Sequence, residues 1–177
     1  MTYETIILDI SGHIATITLN RPDAMNSFTK RMMDECAHAW RHIAETDDIH
    51  CAVLRAAPGR AFSTGVDVKA AMQPGGSVMH DNIWTAEDPG EKLGPKSNRC
   101  WKPVICAVHG MAAGGAFYWI NEADIVICSE DATFFDPHVT YGMTAALEPI
   151  GATYRMPLGD VLRMALLGND ERISSHT

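Results

Sequence analysis

Two glycine-containing segments are where this chain could do chemistry with its backbone alone. In Gly110-Met111-Ala112-Ala113-Gly114-Gly115, glycines bracket a run of small residues between two apolar stretches. Glycines so placed belong where the backbone turns tightly and a Cβ would obstruct. Gly115 then falls at a helix N-terminus, where the first N–H groups have no intrahelical partner and the dipole is positive. Val66, which follows Gly65 and opens a short helix over residues 67–72, occupies a similar place. Two such amides converging on one oxygen make an oxyanion hole, in which losing one donor costs about 3–4 kcal/mol of transition-state stabilisation. The same glycines also suit two ordinary tight βα connections, and their spacing alone does not choose between these readings.

Other chemistries are poorly provided for. The G-x-G-x-x-G spacing of dinucleotide binding is absent, as is any G-x-x-x-x-G-K-[ST] phosphate loop, which removes nicotinamide redox and nucleotide hydrolysis. Ser63 lacks a G-x-S-x-G setting, so a serine-hydrolase triad has little support. No metal is expected. His109, after a buried strand, reads as a satisfied core histidine, and Asp67 as a charge stabilising its helix N-terminus.

The elements that must position these residues follow from length and pattern. A chain of 177 residues with 46% hydrophobic side chains can bury one substantial core, so a single domain over 1–177 is expected. The net charge of -8, without a run of Lys or Arg, argues against nucleic acid and anionic membranes as partners. No apolar stretch approaches the roughly 20 residues of a membrane span. The start, Met1-Thr2-Tyr3-Glu4, lacks a basic region followed by an apolar run, so a cytoplasmic location is expected. Five scattered cysteines (Cys36, Cys51, Cys100, Cys106, Cys128) without a C-x-x-C pair fit reduced packing thiols.

Along the chain, residues 5–10 and 13–20 are β-rich around Ser11-Gly12 and predict a hairpin. Apolar Met32, Met33, Cys36, Ala37, Trp40, Ile43 and Ala44 recur at helical spacing, predicting an amphipathic helix over 27–45 with Ser27 as its cap. Residues 51–54 and 103–108 read as buried strands, with a helix from Gly115 to about Glu122 after the second. Residues 124–128 and 133–135 read as further strands. Residues 73–97 predict a long loop with a helical turn or two around 82–87. After Gly142 the pattern is helical again, with Gly168 as the stop. Strands and helices recurring in this order indicate an α/β fold.

Three spaced segments carry a resemblance. Leu19-Asn20-Arg21-Pro22-Asp23-Ala24-Met25-Asn26-Ser27 resembles an L-N-R-P-x-x-x-N-[AS] segment. Ala61-Phe62-Ser63-Thr64-Gly65-Val66-Asp67-Val68 resembles A-F-x-x-G-x-D-[IL]. Lys102-Pro103-Val104-Ile105-Cys106-Ala107-Val108-His109-Gly110, with Ala113-Gly114-Gly115, resembles K-P-V-I-A-A-x-x-G-x-x-x-G-G. All three, in this order, are similar to the enoyl-CoA hydratase/isomerase (crotonase) family. The resemblance implies a ββα superhelix, a spiral of stacked sheets with outer helices. It makes Val66 and Gly115 the oxyanion donors and sets Ala24, Met25, Thr64, Gly65, Asp67 and Gly114 along the CoA thioester. Coenzyme A would be part of the substrate, with no separate cofactor. The match runs from about Ile6 to Asp170-Glu171-Arg172-Ile173-Ser174. The family's C-terminal helices, which help close the CoA site and build the oligomer, have no counterpart here. A homotrimer or hexamer is expected if the full-length protein has them.

The resemblance also locates a departure. Hydratases of this family position a water with two glutamates, and the matching residues here are Tyr118 and His138. A phenol with ordinary pKa ~10 and an imidazole near ~6.5 cannot duplicate two carboxylates around one water. Efficient hydration of a plain enoyl-CoA is therefore not expected. His138 suits a general base near neutral pH, against a plain hydrogen-bonded loop histidine. Tyr118 reads as a proton donor or a core tyrosine. Glu148, in apolar Ala145-Ala146-Leu147-Glu148-Pro149, reads as a catalytic carboxylate or a helix N-terminal charge. The expected function is an acyl-CoA-thioester enzyme stabilising an enolate and performing isomerisation, C–C cleavage or hydrolysis. The alternative is a non-catalytic acyl-CoA-binding or assembly subunit.

Overall fold

Alternating apolar residues start the chain as a hairpin. Strands β1 (Ile6–Ser11) and β2 (Ile14–Leu19) pair antiparallel from Ile6↔Leu19 to Ser11↔Ile14, and Gly12, at φ +56°, makes the turn. The computed structural model describes residues 2–78, 84 and 88–176. Helix α1 (Lys30–Glu45) follows and buries Met32, Met33, Cys36, Trp40 and Ile43. Its cap is Thr29, whose side chain accepts from the Met32 amide, and not Ser27. The Ser27 hydroxyl is engaged one turn earlier, donating to the Ala24 carbonyl at 2.8 Å, so the helix begins later than the pattern suggests.

Strands β3 (Cys51–Ala56), β5 (Val104–Val108) and β7 (Ile125–Cys128) then add in parallel, giving a five-stranded sheet in the order β1-β2-β3-β5-β7. Three short strands alternate with them in the chain: β4 (Ala61–Ser63), β6 (Met111–Ala113) and β8 (Thr133–Phe135). They form a second sheet, closed by β9 (Ile173–Ser174), in the order β4-β6-β8-β9. After the hairpin, each of the pairs β3–β4, β5–β6 and β7–β8 gives one member to each sheet before the chain turns helical. The helices are α2 (Val68–Ala71), α4 (Phe117–Glu122) and α5 (Leu147–Ala152), with α6 (Leu158–Leu167) beyond. This is the expected ββα spiral. Of this second sheet only β8 was expected from the sequence; β4, β6 and β9, of two or three residues, are too short to show a period.

Residues 73–97 are not wholly loop, since α3 (Gly90–Leu93) lies there and its Leu93 carbonyl accepts from the Trp40 indole at 2.7 Å. The expected turn around 82–87 lies, apart from Trp84, outside the described residues. Gly168 ends α6 at φ +62°. Trp119 centres one aromatic cluster, with Phe28 and Phe62 edge-on at 6.0 and 6.2 Å. Cys36, Cys100 and Cys106 are buried as expected, but Cys128 is exposed at the end of β7, which is an edge strand among the described residues. No described helix is long and apolar enough to cross a membrane.

Candidate active site

The two glycine segments meet. Gly65 sits at φ +80°, and a Cβ there would lie 2.9 Å from the Gly115 nitrogen and 3.0 Å from the Ala113 carbonyl oxygen. Only glycine permits both the backbone conformation and that approach. At Gly115 a Cβ would come within 2.5 Å of Phe28 Cε1, and Gly114, at φ +50°, packs under Pro137 and His138.

Val66 does not open its helix as the sequence reading had it. Asp67 is the cap of α2, accepting from the Ala70 amide at 2.9 Å, so Val66 lies one residue before the cap. Its amide is left out for a different reason. Phe28 forms a parallel bridge beside Val66, its N–H donating to Gly65 O at 2.8 Å and its carbonyl accepting from Asp67 N at 2.9 Å. Those bonds use the groups on either side of the Val66 N–H. Gly115 is the second residue of a 3-10 turn (Gly114–Ala116) leading into α4, ahead of any intrahelical acceptor.

Both residues line a cavity of about 740 Å³. Met25, Thr64, Gly65 and Gly114 line it too, whereas Ala24 and Asp67 are not among its lining residues. Asp67 works as a latch: besides capping α2 it holds Arg21 at 2.8 Å, and Arg21 also donates to the Ser27 carbonyl. Burial alone would raise the Asp67 pKa, but the Ala70 amide and Arg21 together lower it. Asn26, which the sequence reading quoted only as part of a motif, is fully buried. It accepts from Arg21 N and donates to Ala61 O. Met25 and Asn26 are both left-handed, at φ 52° and 50°, a costly conformation that these bonds sustain.

Three elements bring the titratable groups to the same cavity. His138 begins the 3-10 turn His138–Tyr141 after β8, and Glu148 lies in the first turn of α5, buried. Their facing atoms, His138 Nε2 and Glu148 Oε1, are 3.7 Å apart. On the opposite edge of the ring, Nδ1 is 2.5 Å from Asp136 Oδ1. The hydrogen bond to Asp136 leads the effects that raise the His138 pKa. Burial opposes it, and the charges of Asp136 and Glu148 add to it. Burial raises the Glu148 pKa, with the nearby His138 charge partly offsetting it. The imidazolium form thus persists to higher pH than for a free histidine, and the Glu148 carboxylate becomes a stronger base.

Tyr118 stands differently. Its hydroxyl donates to Asp88 Oδ2 at 3.0 Å, and burial, followed by the charges of Glu148 and Asp88, pushes its pKa strongly upward. The phenol is neutral across the physiological range and its proton is already engaged. His109 lies outside the cavity lining, and its buried Nε2 has no partner among the described residues, so it is not the satisfied histidine expected.

Asp136, His138 and Glu148 offer ligand atoms within 4.8 Å of one another, a spacing that could hold a metal ion. The expectation of no metal did not weigh this cluster. Asp136 Oδ1 is already engaged by the His138 backbone amide and by Nδ1 of its ring. The sequence reading missed Asp136 and Asp88. Asp136 had a local signal, since an aspartate two residues before a polar residue after a strand is a side-chain turn former. Asp88 had none.

Known proteins resemble this chain over most of its length. A family model described as "Enoyl-CoA hydratase/isomerase" matches residues 9–170. The chain is 31% identical over 172 residues to the (E)-benzylidenesuccinyl-CoA hydratase of Thauera aromatica, covering 96% of this chain and 64% of that one. It is 30% identical over 181 residues to the 1,2-epoxyphenylacetyl-CoA isomerase of Escherichia coli (strain K12), covering 94% and 63%. Among solved structures, an enoyl-CoA hydratase/isomerase from Mycobacterium paratuberculosis superposes with a TM-score of 0.86 at 38% identity, covering 99% of this chain and 66% of that one. The chain therefore spans roughly two thirds of the length of these relatives.

Proposed function

The chain belongs to the enoyl-CoA hydratase/isomerase family, and we propose that it is an enzyme acting on an acyl-CoA thioester through an enolate. One observation carries this reading: Gly65 and Gly115 cross in contact, so the Val66 and Gly115 amides border the same cavity as His138 and Glu148. The thioester oxygen accepts from the two amides, whose fixed dipoles need no reorganisation as negative charge builds on it. Glu148, made more basic by burial, takes a proton from the carbon next to the thioester carbonyl. The electron pair moves onto the held oxygen, and the imidazolium of His138 is the donor that returns a proton. Tyr118 holds Asp88 and keeps the wall of the cavity in place. Coenzyme A enters as part of the substrate, along the segments of Met25, Thr64 and Gly114, and no separate cofactor is needed.

The histidine and single glutamate favour isomerisation, C–C cleavage or hydrolysis over hydration, which in this family uses paired carboxylates around one water. The test is a screen of acyl-CoA thioesters with the full-length polypeptide and mass-spectrometric detection of products. Turnover is expected for at least one thioester, with a loss of about 100-fold in His138→Ala. Absence of turnover on every thioester, with wild type and His138→Ala indistinguishable, overturns the reading. Tight thioester binding by calorimetry without turnover would instead support an acyl-CoA-binding or assembly subunit.

A further inference from the structure

We propose that Asp136 is the positioning residue of this centre, holding the Nδ1 edge of the His138 ring so that Nε2 faces Glu148 and the cavity. The proposal rests on the reading above that His138 moves protons. Asp136 directly follows β8 and is fully buried. Its Oδ1 accepts from the His138 backbone amide at 2.9 Å and lies 2.5 Å from His138 Nδ1. An ionised carboxylate only accepts, so the proton in that contact sits on Nδ1. A ring bonded this way has Nε2 as its exchangeable nitrogen, and that atom is the one 3.7 Å from Glu148.

The second oxygen makes the case for more than a turn. Asp136 Oδ2 is buried and has no hydrogen-bond partner among the described residues. A neutral amide closes the same two-residue turn without bringing a charge out of water. A carboxylate here is explained by the imidazole proton it faces.

Other charges also surround this ring. Asp88, Tyr118, Tyr141, Glu148 and Arg172 line the same cavity, with the Arg172 guanidinium 4.2 Å over the Phe135 ring. Helix α6 and the turn behind it, which pack against the His138 turn, carry Asp160, Arg163 and Glu171, and Arg163 pairs with both acids. Asp136 is the closest to the ring, and its hydrogen bond leads the effects that favour the imidazolium, with its charge and that of Glu148 adding to it.

The experiment is Asp136→Asn in the full-length polypeptide, because the amide oxygen can still accept from the His138 backbone and preserve the turn. On the thioester turned over best, kcat is expected to fall on the order of 100-fold with KM nearly unchanged. The limb of the pH profile that belongs to His138 should move to lower pH, since the charge favouring the imidazolium is gone. Asp136→Glu should recover part of both effects. Wild-type kcat and an unmoved limb in Asp136→Asn overturn the proposal. A second measurement needs neither variant nor substrate: nitrogen NMR of the His138 imidazole in the wild type. A neutral ring protonated at Nδ1, titrating above the ordinary histidine value, supports the assignment even if no acyl-CoA is turned over. A ring protonated at Nε2 with ordinary titration overturns it.

Discussion

The glycine crossing and the acid/base cluster border one cavity but are built on opposite principles. At the crossing, the chemistry we propose belongs to backbone amides, and the residue types are dictated by space: at Gly65 or Gly115 even a methyl group would collide within 3 Å. In the cluster, three side chains from β8's end, a 3-10 turn and the first turn of α5 meet through distances of 2.5 and 3.7 Å. Nothing in the backbone there demands an acid or an imidazole. A site made of amides can serve any thioester, because it recognises only the oxygen. A site made of side chains can be exchanged for another reaction without disturbing the fold.

The sharpest way to break this comparison is Gly65→Ala. The added methyl meets the Gly115 nitrogen at 2.9 Å in a left-handed conformation, so the two amides must move apart. Turnover should fall about 100-fold to 1,000-fold, corresponding to about 3–4 kcal/mol, across every thioester accepted. Steady-state kinetics on two unlike thioesters checks it, and a loss confined to one of them would contradict an oxygen-only site. Glu148→Gln should cost less, about 100-fold in kcat, because it removes the base and leaves the amides in place. Calorimetry on the same variant should find thioester binding within about threefold of wild type, since a proton-transfer group contributes little to ground-state affinity. Tyr118→Phe should have the smallest effect. It deletes the hydrogen bond to Asp88 and lowers stability by about 0.5–1.5 kcal/mol in urea unfolding, with kcat changed only a few-fold. A large kcat loss in that variant would return Tyr118 to the chemistry.

Legibility followed the same division. The hairpin, α1, the parallel strands and α4 were readable because each is long enough to show its period, and the C-terminal stop at Gly168 was readable from residue type. The cap of α1 was misread because Ser27 has a competing acceptor in the Ala24 carbonyl, which no local pattern reveals. Of the second sheet only β8 was readable; its pairings, such as Ala61 with Met111 and Met111 with Thr133, join residues far apart in the chain through strands of three residues. Asp88 was invisible as well, since it reaches Tyr118 across 30 residues.

By itself, then, the sequence determined the class of fold, the two glycine segments and the family they announce. Each is written locally, in periodicity or in a glycine that no other residue can replace. Only the tertiary structure decided that Val66 is freed by a bridge to Phe28 and not by a helix start, and that Tyr118 is tied to Asp88. It also decided that Glu148 faces His138. Those are contacts between elements, set by how the sheets stack, and no spacing along the chain encodes them.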